Sequence, residues 1–344
     1  MKILFVINSL KSKSGSERVA IELANKLSTI ANYKVTLLNR ESDKSNTAYP
    51  LVDDVDIVTL TGNLFQFYKK LKLHIAVSAY DMVIIHNMGK LSLLCAFLPN
   101  IKKLVVLEHV SFISRPKKVQ FLTKMLYRYV DQVVTLTQND KNQFDKFHPN
   151  VIVIPNFSPF PIVSPSNHTN KQIVTIGRLT DQKNYLHLLQ AWEKIYKDIP
   201  DWQLNIYGEG EHKTMLQDYI EQHSLANVSL KGITSNVKQV YEQSSFFVMS
   251  SKYEGLPMVL IEAQSFGLPI VSYNCPYGPS DVIKNYENGL LVCDQNINEL
   301  ATAILEVASS PNLLDQFAKN SLLNAQKYQP EQILKIWIER VLKG

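Results

Sequence analysis

Two glutamates, Glu254 and Glu262, lie eight residues apart around the apolar stretch GLPMVLI (255–261). The pattern predicts a helix with Pro257 as its first residue and Gly267 at its end. The unpaired backbone N–H groups at the start of a helix suit a phosphate. Glu254 in the preceding loop could accept hydrogen bonds from a sugar, and Glu262 inside the helix from a ribose. In the structural alternative, Glu254 only caps the helix and Glu262 is an exposed helix residue.

Two cations favour the phosphate interpretation. Arg178 and Lys183 belong to VTIGRLTDQKN (174–184), in the loop that should follow a strand, and Gly177 permits a tight turn there. Each cation alone is typical of a solvated surface. Two of them at the carboxyl end of one strand could clamp a diphosphate. The sequence therefore predicts a diphosphate site in this half of the chain.

Several segments together resemble the retaining glycosyltransferases of family 4, which have the GT-B fold. The likeness extends over nearly the whole chain and is strongest from residue 174 to 292. The segments are SGSERVAIELANKL (14–27), LEHVS (107–111), GRLTDQKN (177–184), IYGEGE (206–211), EGLPMVLIEA (254–263), GLPIV (267–271) and SYNCPYGPSDVIKNYENGLLV (272–292). More narrowly, the chain is similar to enzymes that build bacterial capsule, exopolysaccharide or O-antigen units on a lipid carrier.

The resemblance implies catalytic roles for four residues. Arg178 and Lys183 would neutralise the diphosphate as it leaves, since fixed cations stabilise the charge that develops there. Glu254 would lie against the donor sugar, and His109 would approach that sugar from the N-terminal domain. Retention would then follow from attack by the acceptor hydroxyl on the same face, with the departing phosphate taking its proton. A covalent route through Glu254 is the alternative.

Further residues are predicted to contact the donor nucleotide. They are Gly15, Gly177, Gly232, Ile233, Pro257, Met258, Val259 and Glu262. By the resemblance, Glu262 would bind the ribose hydroxyls, and the backbone of Gly232 and Ile233 would contact the base. The family often has two glycines in its N-terminal loop, whereas Ser14-Gly15-Ser16 has one here. Close approach of this backbone to the phosphate is therefore less assured.

No cofactor or metal is expected for this transfer. Asp54 and Asp56 have the spacing of a metal-binding pair, but they precede a predicted strand, which favours a solvated turn. His86 ends another predicted strand. It is either a structural histidine or a contact to the acceptor.

Short β-branched runs alternate with longer amphipathic stretches, which predicts parallel sheets covered by helices. The first half has such runs at 2–7, 34–38, 55–60, 81–86, 103–108 and 131–136. The second half has them at 172–177, 203–208, 227–232, 245–250 and 269–273. We therefore predict an α/β protein of the GT-B type, with two Rossmann-like doubly wound domains that face an interdomain cleft.

A chain of 344 residues exceeds what one core usually supports. Residues 155–172 have four prolines and no helical period, as a linker does. The predicted domains are an acceptor-binding one over 1–160 and a nucleotide-sugar-binding one over 161–328. A C-terminal helix within 329–344 is expected to pack back on the first domain.

The charge is unevenly distributed. Residues 1–150 have 21 Lys and Arg against 12 Asp and Glu, whereas the remaining residues have a net charge of −4. The stretch 116–130 has the pattern of a basic helix with Phe121, Leu122 and Met125 at helical spacing. It is either a core helix with a solvated basic face or a surface for anionic lipid headgroups. Nucleic acid is not expected, because no aromatic–basic repeat or helix-turn-helix pattern accompanies these charges.

The three cysteines form no CxxC pair, which indicates reduced thiols and a cytoplasmic location. The five apolar residues at 3–7 are too short for a signal peptide, and no run is long enough to span a bilayer. A peripheral position on the inner face of the membrane is the alternative location.

The sequence thus predicts a glycosyltransferase. It would move a hexose or N-acetylhexosamine from a nucleoside-diphosphate sugar, with UDP favoured, to a glycan or lipid-linked acceptor. The main alternative is an inactive homologue that binds a sugar nucleotide or scaffolds another transferase. An epimerase or phosphorylase is the nearest enzymatic alternative. A dinucleotide dehydrogenase is disfavoured because no G-x-G-x-x-G follows a strand.

Overall fold

The computed structural model describes residues 1–11, 15–41, 47–87, 90–98, 101–163 and 168–343. They fall into two compact units. The first comprises Met1–Asn156 with Leu334–Gly344, and the second comprises Phe157–Ile333. Ser14, in the predicted N-terminal loop, lies outside the described residues. Among the described residues, no helix has the length and hydropathy needed to cross a bilayer.

The first unit is built on a parallel sheet of seven strands. They are β1 (Lys2–Val6), β2 (Lys34–Asn39), β3 (Asp56–Thr59), β4 (Met82–Asn87), β5 (Leu104–Glu108), β6 (Gln132–Thr135) and β7 (Val151–Val153). Their order is β3-β2-β1-β4-β5-β6-β7. The central strands are buried along their length, as expected for a parallel sheet covered on both faces.

Within the described residues, five α-helices connect these strands. They are α1 (Gly15–Ser28), α2 (Leu64–Ser78), α3 (Leu91–Cys95), α4 (Lys117–Leu126) and α5 (Gln138–Phe144). The C-terminal residues also belong to this unit. The Lys103 ammonium donates to the carbonyl of Val341 at 2.8 Å, and the Gln132 amide donates to the carbonyl of Arg340 at 3.1 Å.

The second unit has a parallel sheet of six strands. They are β8 (Gln172–Ile176), β9 (Gln203–Tyr207), β10 (Val228–Gly232), β11 (Phe246–Met249), β12 (Ile270–Tyr273) and β13 (Gly289–Val292). Their order, β10-β9-β8-β11-β12-β13, is that of a dinucleotide-binding fold.

The helices of this half are α6 (Tyr185–Ile195), α7 (Lys213–Gln222), α8 (Val237–Glu242), α9 (Met258–Ser265), α10 (Pro279–Val282), α11 (Ile297–Ser309), α12 (Pro311–Ala325) and α13 (Pro330–Trp337). The division between the units falls within α13. The start of the segment 155–172, which was predicted as a linker, packs into the core of the second unit. Ser158 is fully buried there, and its hydroxyl bonds to that of Ser265 at 2.8 Å.

These two sheets confirm the predicted fold class. The eleven predicted runs correspond to β1–β6 and β8–β12. Sequence analysis missed β7 and β13, which have only three and four residues. Runs this short give little periodic signal.

Candidate active site

The second sheet reverses its strand order between β8 and β11. In open parallel sheets, ligands bind beyond the carboxyl ends of the strands at this point. The loop after β8 carries Arg178 and Lys183, and the loop after β11 carries Glu254. The topology therefore brings three of the predicted catalytic residues to one edge of one sheet.

Lys183 and Glu254 form an ion pair at this edge. The ammonium lies 2.7 Å from Glu254 Oε1, with the side chains only 17% and 8% exposed. The Ser250 hydroxyl donates to the carbonyl of Lys183 at 2.9 Å and fixes the backbone below the pair. A Cβ at Gly177 would lie 3.3 Å from Lys183 Cε, so the glycine leaves room for the lysine stem. The pair is thus positioned by its backbone as well as by its charges.

Arg178 differs from Lys183 in being exposed. Within the described part of the chain, its guanidinium forms no hydrogen bond or ion pair. The backbone beside Arg178 is held in place, because the next residue, Leu179, donates its N–H to the carbonyl of Glu209 at 2.9 Å. A guanidinium held here keeps its five donors available for an anion.

Glu262 is buried in α9, so the alternative of an exposed helix residue is wrong. The Tyr241 hydroxyl donates to its Oε2 at 3.0 Å. The helix starts one residue later than predicted. Pro257 is its N-cap with extended backbone, and Met258 is the first helical residue. Gly267 follows the helix in the left-handed region, at φ 70°, as predicted for a helix end.

Close backbone packing holds the loops of this edge. Gly208 has a φ of 147°, and a Cβ there would overlap the carbonyl oxygen of Gly177. Gly278 has a φ of 90°, and a Cβ there would overlap the carbonyl of Gly255 and the ring of Pro257. Only glycine fits at both positions. Both glycines belong to segments that resemble the family, but no pattern in the sequence indicated this packing role.

The residues predicted to meet the base lie at the end of β10. Gly232 has a φ of 69°, and the following Ile233 is 79% exposed. The Gly232 carbonyl accepts from the N–H of Gly208 at 2.9 Å. This contact ties the end of β10 to the same glycine turn that supports the loop of Arg178.

At the carboxyl edge of the first sheet, two histidines form a pair. His86 Nδ1 lies 3.1 Å from His109 Nε2, and the two rings are stacked with centroids 5.3 Å apart. Burial lowers the pKa of His109 to about 4, and burial with the neighbouring His109 lowers the pKa of His86 well below its usual value. Both imidazoles are therefore uncharged at neutral pH. Of the predicted residues in this unit, Gly15 begins α1, and a Cβ there would meet no atom of the described residues within 4 Å.

Sequence analysis missed the polar cluster beneath His109. The preceding residue, Glu108, is buried and accepts hydrogen bonds from Arg115 and Tyr127. Burial opposes the charge on Arg115, but Glu108 more than offsets this and raises its pKa. The two partners flank α4, so this helix is fastened at both ends to the strand that carries His109. Arg115 and Tyr127 lie seven and nineteen residues after Glu108. These separations form no local pattern in the sequence, so the cluster could not be predicted.

The basic helix does not bury its apolar side chains. α4 exposes Phe121, Leu122 and Met125, with Phe121 62% exposed, and the buried side chain of this helix is Thr123. The core-helix alternative for these residues is therefore wrong. Asp56 of the predicted acidic turn begins β3 and lies 3.7 Å from the Lys34 ammonium.

Comparisons with known proteins agree with this architecture. Residues 13–157 match the family described as Glycosyltransferase Family 4, and residues 158–323 match the family described as Glycosyl transferases group 1. The amylovoran biosynthesis glycosyltransferase AmsD of Erwinia amylovora is 34% identical over 98% of both chains. A Campylobacter jejuni α-1,4-N-acetyl-D-galactosaminyltransferase, named for a diphospho-undecaprenol-linked acceptor, is 26% identical over 99% of this chain and 98% of its own.

The solved structure of Anabaena HepE in complex with UDP has the same fold. It superimposes with a TM-score of 0.85 at 19% identity, and the match covers both chains completely. The two doubly wound units are thus those of the GT-B fold. The chain belongs to the glycosyltransferases of family 4 and group 1, and it is a glycosyltransferase.

Proposed function

We propose that this enzyme transfers a hexose or N-acetylhexosamine from a UDP-sugar to a glycan or lipid-linked acceptor, with retention, in the synthesis of a bacterial surface polysaccharide. The observation that carries the proposal is the edge formed by β8 and β11. There, a guanidinium with no partner among the described residues and a paired ammonium follow one strand, and a carboxylate follows the other. This is the charge pattern that a leaving diphosphate and a sugar require.

The roles follow from the charges and their surroundings. Arg178 and Lys183 bind the diphosphate and stabilise the negative charge that grows on it as the sugar departs. Glu254 orients the ammonium and accepts from the sugar hydroxyls, and Glu262, held by Tyr241, accepts from the ribose. His109, uncharged at neutral pH, donates to the sugar. Because the developing charge exceeds that of the bound donor, these cations lower the barrier.

Attack on the sugar proceeds on the face that the diphosphate leaves. The departing phosphate oxygen takes the proton of the acceptor hydroxyl, and the configuration at the anomeric carbon is retained. In this proposal Glu254 forms no covalent intermediate, because Lys183 already engages it. Trapping a glycosyl-Glu254 adduct would contradict this route. Because no metal takes part in this route, the enzyme is expected to keep its full activity in the presence of a chelator.

The relatives support the donor and acceptor classes. HepE is crystallised with UDP, AmsD is named for amylovoran biosynthesis, and the Campylobacter enzyme is named for a diphospho-undecaprenol-linked acceptor. The test is a panel of UDP- and GDP-sugars scored by thermal stabilisation and hydrolysis, followed by lipid-linked acceptors with NMR of the product anomer. An inverted product would contradict retention. UDP binding without turnover on any acceptor would favour the inactive homologue.

Arg178→Ala tests the active-site assignment itself. We expect kcat to fall by about 10²- to 10³-fold, as when an oxyanion donor is removed. Because Arg178 is exposed and its guanidinium has no partner in the described part of the chain, thermal stability should not change. Lys171→Met is the matched control, because Lys171 precedes β8 at the opposite end of the strand and pairs with Asp201. Near-normal turnover of Arg178→Ala at saturating donor would remove the assignment.

We further propose that the enzyme is peripheral on an anionic membrane, through α4. The helix exposes Phe121, Leu122 and Met125, while Lys117, Lys118 and Lys124 are exposed around them. Exposed apolar side chains surrounded by cations suit the interface of an anionic bilayer.

Sedimentation with anionic and with neutral vesicles tests this placement. We expect binding to anionic vesicles that weakens with salt. Phe121→Ser should reduce binding, whereas Leu323→Ser, which replaces a side chain of similar exposure in the second unit, should not. Failure to sediment with anionic vesicles at low salt would contradict the proposal.

A further inference from the structure

The histidine pair contains an unusual buried atom. His86, in β4, is 1% exposed, and its Nδ1 contacts His109 Nε2. Its other ring nitrogen, Nε2, is buried and has no hydrogen-bond partner among the described residues. Phe5 packs against the ring with centroids 4.9 Å apart. Buried polar atoms are rarely left without a partner, so this one constrains the protonation of the pair.

One proton lies between the two rings. Burial lowers the pKa of both imidazoles, so each ring is neutral and carries a single N–H. Two arrangements are consistent with the 3.1 Å contact. Either His86 donates from Nδ1 to His109 Nε2, or His109 donates from Nε2 to His86 Nδ1.

The orphaned nitrogen distinguishes these arrangements. If His109 donated, the proton of His86 would be on Nε2, and a buried N–H would have no acceptor. If His86 donates, Nε2 carries only a lone pair. Orphaned buried N–H groups are rarer in proteins than unsatisfied acceptors. The arrangement in which His86 Nδ1 donates to His109 Nε2 is therefore favoured. In this arrangement the proton of His109 lies on its Nδ1.

We propose that His86 is a positioning residue that holds His109 in the Nδ1–H tautomer. This inference rests on the proposed function, in which His109 donates to the bound sugar. His109 is partly exposed, and its Nδ1 has no partner within the described part of the chain. His86 thereby turns the only N–H of this neutral ring toward a ligand. A histidine's second ring contact commonly sets which nitrogen is protonated.

Two substitutions of His86 distinguish a side chain that donates a hydrogen bond to His109 from one that only accepts it. His86→Asn can place an amide N–H where Nδ1–H lies, and it should retain most of the wild-type kcat. His86→Asp offers only an acceptor, so it should reverse the tautomer of His109. We expect His86→Asp and His86→Ala to lower kcat by about 10- to 100-fold, with little change in the donor KM. Equal activity of the Asn and Asp variants would overturn the proposal.

His148→Asn controls for the loss of a buried imidazole. His148 is buried in the same unit, and both its ring nitrogens are bonded, to the carbonyl of Val130 at 2.9 Å and the N–H of Asn150 at 3.2 Å. Its replacement should affect stability and leave kcat unchanged. Thermal unfolding of every variant identifies those that fail to fold.

Long-range ¹H–¹⁵N NMR of the histidine rings tests the tautomer without any activity measurement. The wild-type enzyme should show Nδ1–H for both His86 and His109, and His86→Asp should shift His109 to Nε2–H. Observation of Nε2–H on His109 in the wild type would overturn the inference. His109→Ala distinguishes failure of the tautomer inference from failure of the proposed function. Normal turnover of that variant would remove His109 from the proposed function, whatever its tautomer.

Discussion

At the carboxyl edge of the second sheet lies an ion pair of two predicted site residues, whereas at that of the first sheet lies a pair of neutral histidines. Lys183 and Glu254 form a largely buried ion pair, and burial holds His86 and His109 in their uncharged forms. Both edges belong to parallel sheets of similar topology. The same scaffold therefore supports a charged pair in one unit and a neutral histidine pair in the other, and the proposed function assigns the first to the diphosphate and the second to the sugar.

The loops of the two edges differ as well. In the second unit, glycine turns pack backbone against backbone, as at Gly208 and Gly278. In the first unit, Gly15 begins a helix, and a Cβ there would contact none of the described residues within 4 Å. We infer that these backbone contacts make the second edge rigid.

Gly208→Ala and Gly15→Ala compare the two edges directly. A Cβ at Gly208 would overlap the Gly177 carbonyl at a backbone angle that disfavours alanine, so we expect a loss of more than about 4 kcal/mol in stability. Gly15→Ala should leave stability unchanged. Soluble yield and thermal unfolding measure both. A stable Gly208→Ala protein would show that this edge can relax.

Removing one partner of the ion pair should have the next largest effect. Lys183→Met leaves the Glu254 carboxylate, 8% exposed, without its counterion, and we expect a loss of about 3 kcal/mol in the free energy of unfolding. Lys183→Met with Glu254→Gln should recover most of that stability and none of the activity. Denaturation and donor turnover of the single and double variants separate the two roles. Recovery of activity in the double variant would contradict a catalytic role for Lys183.

The fold class and the charged residues of the second edge could be predicted from the sequence. The β-branched runs gave the fold class, because a parallel sheet buries both faces of its strands. GRLTDQKN and EGLPMVLIEA located the second edge, since cations and acids at strand ends leave a local pattern. The boundary of α9 was off by one residue, because Pro257 serves as an N-cap in the structure.

The contacts of the first edge had no such local pattern. His86 and His109 are 23 residues apart on neighbouring strands, and Glu108 meets Arg115 and Tyr127 only after folding. The periodicity of α4 predicts an apolar face but cannot say whether another element covers it. Such features depend on tertiary packing.

Acid should destabilise the protein through the neutral histidines. In the unfolded chain His109 titrates near 6.5, whereas in the folded state its pKa is about 4. Between these values the unfolded state binds more protons, so stability falls as pH falls from about 6.5 to 4. We expect about 2 kcal/mol from this residue. The double variant His86→Asn with His109→Asn should show a flatter stability profile by thermal unfolding at pH 7.5 and 4.5. If the double variant kept the same dependence of stability on pH, the histidine pair would not be its cause.

The smallest effect is expected for Tyr241→Phe in the second unit. The Tyr241 hydroxyl donates to Glu262 at 3.0 Å, and its removal loses one hydrogen bond, worth about 1 kcal/mol. Because the ribose does not react, this contact serves the bound donor and the transition state equally. UDP affinity should therefore fall about fivefold by calorimetry while kcat at saturating donor is kept. Tyr196→Phe, at the far end of α6, is the control. A fall in kcat with unchanged UDP affinity would show that Glu262 acts on the reacting sugar and not on the ribose.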